Sequence, residues 1–297
     1  MVAPVVVVAA SSARMLAESA RRAGMRPVAL DLFGDLDTRR AAHWLCVGSQ
    51  DGLGFDAQRM QAMLGRLAGR SDVLGWVAGG GFEDCAELMQ TCAQALPLIG
   101  NDLDTLAAMK QPGRFFPMLD GYGIRYPQTQ LTPPSSPSGW LSKSVGGTGG
   151  GHVRRVGRAS PHQRNAALRV PKTPAPVAHY YQRESSGAPM SALFLADGTD
   201  VLLIAFNRLL VGPVGRRPFV FQGAVGPVSL SDEAGAAARH AVDQIARHAG
   251  LVGLNSMDFL LDGEAVSVLE INPRPSATMD LHDDRFAGGL LKAHIEA

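Results

Sequence analysis

The chain has 297 residues, of which 46% are hydrophobic and 19% charged. It carries 28 Lys plus Arg against 27 Asp plus Glu, a formal net charge of +1. Such a chain is not intrinsically disordered, has room for two or three lobes, and carries no charge excess pointing to nucleic acid or a membrane. Its three cysteines, Cys46, Cys85 and Cys92, show no paired zinc spacing, and their odd number argues against a disulfide framework. The opening apolar run has no basic residue before it and is too short to span a bilayer. The expectation is a cytoplasmic protein.

In chain order, Val5–Ala10 is a β-branched run suited to a strand buried on both faces. Ser11-Ser12 offers a cap for a helix over Ala13–Ala23, which Gly24 ends. Arg26–Leu32, Trp44–Val47, Val73–Ala78 and Pro97–Ile99 read as strands, with helices at Phe55–Leu67 and Glu83–Ala95. This alternation predicts a parallel α/β sheet. A nicotinamide site would place glycines after the first strand, where Ala9-Ala10-Ser11-Ser12-Ala13 stands instead. The ligand crevice of such a sheet lies at the strand ends, so Ser11, Ser12 and the loop Gly79-Gly80-Gly81-Phe82-Glu83 are candidates. The triple glycine also reads simply as a turn before a helix.

Asn101-Asp102 opens a second region, with a helix starting near Asp102 and another over Arg114–Asp120. Ile124–Gln130 and Trp140–Ser144 read as extended. Lys143 then precedes Gly146-Gly147-Thr148-Gly149-Gly150-Gly151-His152. A Gly/Ser linker here would interrupt a hairpin, and a P-loop needs its lysine after the glycines. A flap whose backbone N–H groups close over phosphates fits better, with Lys143 as a compact positive charge. His152 reads as a hairpin residue. The basic stretch 157–176 reads as solvated surface.

Val177–Glu184 ends one run. Ala192–Ala196 and Val201–Asn207 form a hairpin that Asn207-Arg208 terminates. The planar fork of Arg208 matches phosphate oxygens, and an exposed surface arginine is an equal alternative. Ser231 caps a helix that runs to Ala249 and stops at Gly250. Next, Met257–Leu261 and Ala265–Ile271 flank Asp262-Gly263-Glu264. A three-residue loop would pair Asp258 with Val268 and set it on the face of Glu270 and Asn272; a two-residue turn would set it on the other face. Two carboxylates and an amide carbonyl at one sheet end suit Mg²⁺, although polar residues at a hairpin mouth also occur without a metal. Ser276–Asp284 is polar, and His282, Asp283 and Asp284 at its end are candidates to border a substrate.

The order of these features carries a resemblance. Lys143, the glycine flap, Glu184, Arg208, Asp258 and Glu270-Ile271-Asn272-Pro273-Arg274 follow one another as in the ATP-grasp superfamily. Its carboxylate–amine ligases join their substrates through an acyl phosphate. The resemblance implies an α/β (α+β) ATP-grasp fold. Its parts would be a parallel α/β lobe over 1–99, a central lobe over 100–178 and an antiparallel-sheet lobe over 179–297. It implies ATP with Mg²⁺, or Mn²⁺, as cofactors. Lys143, Gly146, Gly147, Thr148, Gly149 and Gly150 would hold phosphates. The backbone amides of Gln182 and Arg183 would meet adenine, and Glu184 the ribose. Asp258, Glu270 and Asn272 would bind metal, Arg208 and Arg274 would act in catalysis, and Ser11, Ser12, Gly80, Gly81 and Ser276 would border the substrates. One departure is Lys110, whose following Gln111-Pro112-Gly113 fits the family's early nucleotide-binding lysine poorly. Arg114 is the substitute. The Asn-Pro-Arg-Pro-Ser ending is most similar to small amino-acid ligases such as the tyramine–glutamate ligase of methanofuran biosynthesis. This implies a small-molecule carboxylate, an amine partner and room for a homodimer. A nucleotide-binding regulatory or scaffold protein without turnover is the alternative.

Overall fold

Four valines and an alanine, Val5–Ala9 (β1), leave no polar face, and all five are buried. The strand therefore takes the centre of a parallel sheet in the order β3-β2-β1-β4-β5, with β2 Arg26–Asp31, β3 His43–Cys46, β4 Val73–Ala78 and β5 Leu98–Ile99. The computed structural model describes residues 3–50, 54–157 and 179–297. The basic stretch expected at 157–176 lies almost wholly outside the described residues.

Helix α1 (Arg14–Arg22) covers one face of this sheet; α3 (Ala57–Leu67) and α4 (Ala86–Ala95) cover the other. Three details differ from expectation. Ser11 and Ser12 do not cap α1; its N-cap is Ala13, whose N–H is donated to the buried Asp31 Oδ2 at 3.2 Å. A short helix, α2 (Leu36–Ala41), follows Asp35, whose carboxylate accepts the Thr38 N–H at 2.8 Å. Helix α4 begins at Ala86, not Glu83, so Glu83 stays in the preceding loop.

Asp102 caps α5 (Leu103–Lys110), and Pro112 opens α6 (Pro112–Gly121). A small antiparallel sheet follows in the order β6-β9-β7-β8: Thr129–Gln130, His179–Arg183, Trp140–Ser144 and Arg154–Arg155. Of the predicted extended segment 124–130, only the last two residues pair.

The third sheet is antiparallel, in the order β12-β11-β10-β13-β14: Arg217–Val228, Val201–Val214, Ala188–Asp197, Val252–Asp262 and Ala265–Asn272. Helix α7 (Asp232–Ala249) packs on it through Ala238, Ala241, Val242 and Ile245. The strand does not stop at Asn207-Arg208: apolar residues continue beyond Arg208 to Val214, and β12 returns alongside. The C-terminal helix α8 (Leu290–Glu296) folds back on α1, where Leu290 and Leu291 share one core with Val6, Leu16, Leu193 and Leu254. Buried Asp283 fastens this return by accepting from Ser19 Oγ and the Leu290 N–H, both at 2.6 Å. No helix among the described residues is long and apolar enough to cross a membrane.

Candidate functional site

The hairpin β13–β14 brings Asp258, Glu270 and Asn272 together by a route other than the expected loop. Asp262 pairs with Ala265, so the turn has two residues, Gly263 and Glu264. That register alone would turn Asp258 away from Glu270. A β-bulge at Leu269 corrects it: Phe259 faces Val268, but Asp258 faces Glu270 and Ser256 faces Asn272. Asn272 Nδ2 donates to Asp258 Oδ2 at 3.2 Å. Two carboxylates directly opposite one another are unfavourable in a ladder.

A cation offsets them. Lys110, at the end of α5, donates to Glu270 Oε2 at 3.1 Å and to Asn272 Oδ1 at 2.9 Å. The lysine whose surroundings fit the family pattern poorly therefore stands at the centre of the site, while Arg114 is exposed and outside the cavity. No local pattern announces this contact, because 160 residues separate Lys110 from Glu270. Lys143 follows on β7, donating to Gln182 Oε1 at 2.6 Å. Burial pushes its ammonium below the ordinary lysine value, against the opposing pull of Glu270 and Asp258. Burial, reinforced by the Glu270 charge, lifts Asp258 to about 7. Glu270 is also penalised by burial, but Lys110, Lys143 and His152 outweigh this and hold it below the usual carboxylate value. The facing carboxylates thus differ in proton affinity: nearby cations outweigh burial at Glu270, whereas at Asp258 burial and the Glu270 charge outweigh Lys110 and Arg274.

Lys143, Asp258, Glu270 and Asn272 line a cavity of about 650 Å³ between the parallel and antiparallel sheets, a size suited to a small organic ligand; Lys110 lines a small recess beside it. The loops of the parallel sheet contribute Ser11, Ser12, Gly80 and Gly81, and the last hairpin with the loop after it contributes Asp258, Glu270, Asn272, Arg274 and Ser276. The small sheet contributes Lys143, Gln182 and Arg183, with Glu184 just after it; Leu141, Tyr180, Met190 and Phe221 are apolar lining. Thr148, Gly149 and Gly150 reach the wall, with Gly149 O accepting the Phe221 N–H at 3.0 Å. Gly146 and Gly147 instead line a small recess beside Lys110 and Glu270.

Two expectations need correction. Arg208 does not reach the cavity: its neighbours Leu209 and Val211 line it, and strand alternation carries the exposed Arg208 away. The amides of Gln182 and Arg183 are not free for a base. Gln182 lies in a middle strand between Thr129 and Leu141, while the Arg183 and Glu184 N–H groups go to Gln128 O at 2.8 Å and Gly139 O at 3.0 Å. Glu184 lines the cavity but also takes a bidentate pair from Arg155, whose Nε lies 2.9 and 3.0 Å from its two oxygens.

Arg274 enters from the loop after β14, which Asn101 braces by donating to Pro273 O at 3.0 Å. Its Nε donates to Glu83 Oε1 at 2.7 Å, its terminal Nη2 pairs with the same oxygen, and Nη1 donates to Pro275 O at 3.1 Å. Glu83 Oε2 accepts the Gly81 N–H at 2.7 Å. Burial opposes the Glu83 charge, but Arg274 and Lys110 outweigh it and keep the carboxyl below its ordinary value. The sequence pattern places Glu83 both at the end of the candidate crevice loop and at the start of a helix, and gives Asn101 only a boundary role; it shows neither long-range contact.

Among the described residues no group of three or more His, Cys, Asp or Glu could hold a metal. The protein donors on offer are two carboxylates and one amide oxygen. This hard, all-oxygen set fits Mg²⁺ when water and phosphate complete the shell.

Comparison with known proteins agrees with this geometry. The family model described as ATP-grasp domain matches residues 111–278, more than half of the chain. No curated protein matches the sequence. Among solved structures, the biotin carboxylase domain of Hydrogenobacter thermophilus 2-oxoglutarate carboxylase, in complex with MgADP, ADP and bicarbonate, is similar with TM-score 0.74 and 14% identity. That match covers 98% of this chain and 68% of the other. N5-carboxyaminoimidazole ribonucleotide synthetase from Thermus thermophilus gives TM-score 0.68 and 15% identity, covering 98% of this chain and 77% of that one. L-amino acid ligase from Bacillus licheniformis gives 0.63 and 16%, covering 91% and 67%. At these identities the structures establish the fold, and the family model, matched over the site itself, establishes that the chain belongs to the ATP-grasp family.

Proposed function

We propose that the protein is an ATP-dependent ligase that joins a carboxylate to an amine, releasing ADP and phosphate. The observation that carries this reading is the convergence of Lys143, Thr148, Gly149 and Gly150 of the flap, Asp258, Glu270, Asn272 and Arg274 on one cavity. Asp258, Glu270 and Asn272 would hold magnesium, which when bound neutralises phosphate oxygens and orients them for transfer. Lys143 and Lys110 spread the charge of the transferring phosphate, and the docked flap keeps water from the reacting groups. The substrate carboxylate, steered by Arg274, attacks the terminal phosphorus of ATP; the C–O–P bond forms as the bond to ADP breaks. The amine then attacks the acyl phosphate carbon, phosphate leaves, and the amine gives up a proton. Arg274 also faces the oxyanion that develops at that carbon. Ser11, Ser12, Gly80, Gly81 and Ser276 line the same cavity and would border these substrates. An amino acid such as glutamate as carboxylate and an aromatic amine as acceptor, as in methanofuran-type cofactor synthesis, is the finer form of the proposal. It rests on the resemblance of the Asn-Pro-Arg-Pro-Ser ending to small amino-acid ligases.

The test is a screen of amino acids paired with amines for ADP formation with magnesium, followed by mass analysis of the amide. Glu270→Gln is expected to abolish turnover while the melting temperature holds; retained turnover at saturating magnesium contradicts the metal role. A second reading, a nucleotide-binding protein without turnover, draws on the ion pair that already occupies Glu270 and Asn272 through Lys110. ATP binding with no amine-dependent ADP release would select it.

A further inference from the structure

Glu83 is a buried carboxylate with its hydrogen bonds directed at the site, although it belongs to the parallel-sheet lobe and lies 191 residues from its partner. Its side chain is 6% exposed and that of Arg274 14%. One oxygen takes Arg274 Nε and Nη2; the other takes the Gly81 N–H. A guanidinium has five N–H donors. With Nε and Nη2 turned to Glu83 and Nη1 to Pro275 O, one N–H remains on each terminal nitrogen. Donors on a guanidinium so placed can meet a carboxylate or phosphate. Gly80 lies against the same guanidinium, 3.6 Å from its central carbon when a Cβ is built there. The flap also begins here: a Cβ on Gly146 would stand 2.6 Å from Glu83 O, so only glycine lets the flap base rest against residue 83.

We propose that Glu83 is a positioning residue: it fixes the guanidinium of Arg274 so that its free end meets the substrate carboxylate, and it ties that arginine to the Gly80-Gly81 loop and the base of the flap. The proposal rests on the reading of Arg274 as the carboxylate and oxyanion donor. Without the Glu83 charge, Arg274 stays cationic but loses the contact that fixes its side-chain torsions. The carboxylate then meets a disordered donor, whereas nucleotide held by Lys143 and the metal ligands is untouched.

The experiment compares Glu83→Gln, Arg274→Ala and the double variant. Glu83→Gln is expected to lower kcat/KM for the carboxylate roughly 10- to 100-fold, the range that a misplaced orienting group costs. It should change the affinity for ATP with magnesium by less than about threefold, and be partly rescued in Glu83→Asp. The double variant is expected to be no worse than Arg274→Ala alone, because Glu83 acts through that arginine. Multiplying losses, or ATP affinity falling in step with activity, overturns the proposal, the second by showing a merely structural role. A wild-type chain without substrate-dependent ADP release defeats the ligase reading itself. The positioning claim is then decided by phenylglyoxal labelling of Arg274, followed by peptide mass analysis. Glu83→Gln must raise that labelling rate clearly above wild type at unchanged melting temperature, and an unchanged rate refutes the pairing.

Discussion

Gly150 offers a way to ask whether the seated flap is the state that binds nucleotide. Its φ is +71°, and a Cβ built there lies 1.7 Å from Phe219 O. The obstacle is backbone, so no rotamer change relieves it, and Gly150→Ala must lift the flap from β12 and break the 3.0 Å bond between the Phe221 N–H and Gly149 O. Left-handed strain for alanine is about 1–2 kcal/mol, and the lost hydrogen bond adds about 1 kcal/mol. The seated state is therefore disfavoured by about 2–3 kcal/mol, which corresponds to roughly 30- to 150-fold weaker nucleotide binding. Gly149→Ala is the control: its φ is +64°, yet nothing lies within 4 Å of the added Cβ, so it carries strain alone. Calorimetric titration of both variants with ATP and magnesium should show Gly150→Ala weaker than Gly149→Ala by about fivefold or more, the hydrogen-bond share of the difference. Both should melt close to wild type, because the flap contributes little to the three cores. Equal losses in the two variants, or none at Gly150, would refute the inference that docking on β12 and nucleotide binding go together.

Three further outcomes are expected. Buried His294 accepts the Leu254 N–H on Nδ1 at 2.8 Å and faces Ile99 O through Nε2 at 3.3 Å, and burial lowers its pKa from 6.5 to about 4. The folded state thus prefers the neutral ring: its full contribution is present above pH 6.5 and is lost as pH falls towards 4, a difference of about 3 kcal/mol. Urea unfolding from about pH 7 to 4 should show wild type losing about this much more than His294→Gln, and parallel pH curves would contradict the assignment. Lys110→Met leaves the two facing carboxylates without their nearest cation. With side chains 13% and 34% exposed in the Lys110–Glu270 pair, the loss should be about 1–3 kcal/mol, below that of a fully buried pair. Magnesium should restore part of the lost melting temperature, and an ion without effect would argue against these ligands. Asp283→Ala strands the donors of Ser19, Arg22 and Leu290. It should cost about 3–5 kcal/mol in urea unfolding, and a change under about 1 kcal/mol would show that α8 is held by its apolar contacts alone.

Features decided within a few residues were legible in the chain itself. The four valines of β1, the caps Asp102 and Ser231, the stop at Gly250 and the alternation around Asp262 each act through neighbouring backbone. So does the two-apart spacing of Glu270 and Asn272, which share a face wherever the strand is placed. The order of motifs was enough to reach the family. It could not decide which side of β13 that face would meet, because the turn alone points Asp258 the wrong way and only the bulge at Leu269 reverses it. Nor could it recover contacts made by folding distant segments together: Lys110 onto Glu270, Glu83 onto Arg274, Asn101 onto Pro273. Arg208 failed for the complementary reason, since its charge suited the site but its place in the pleat of a longer strand turned it to solvent. Residue type and spacing thus set the chemistry available to this protein. Strand register and long-range packing chose which of those groups share one cavity, because a single residue of slip exchanges the two faces of a strand.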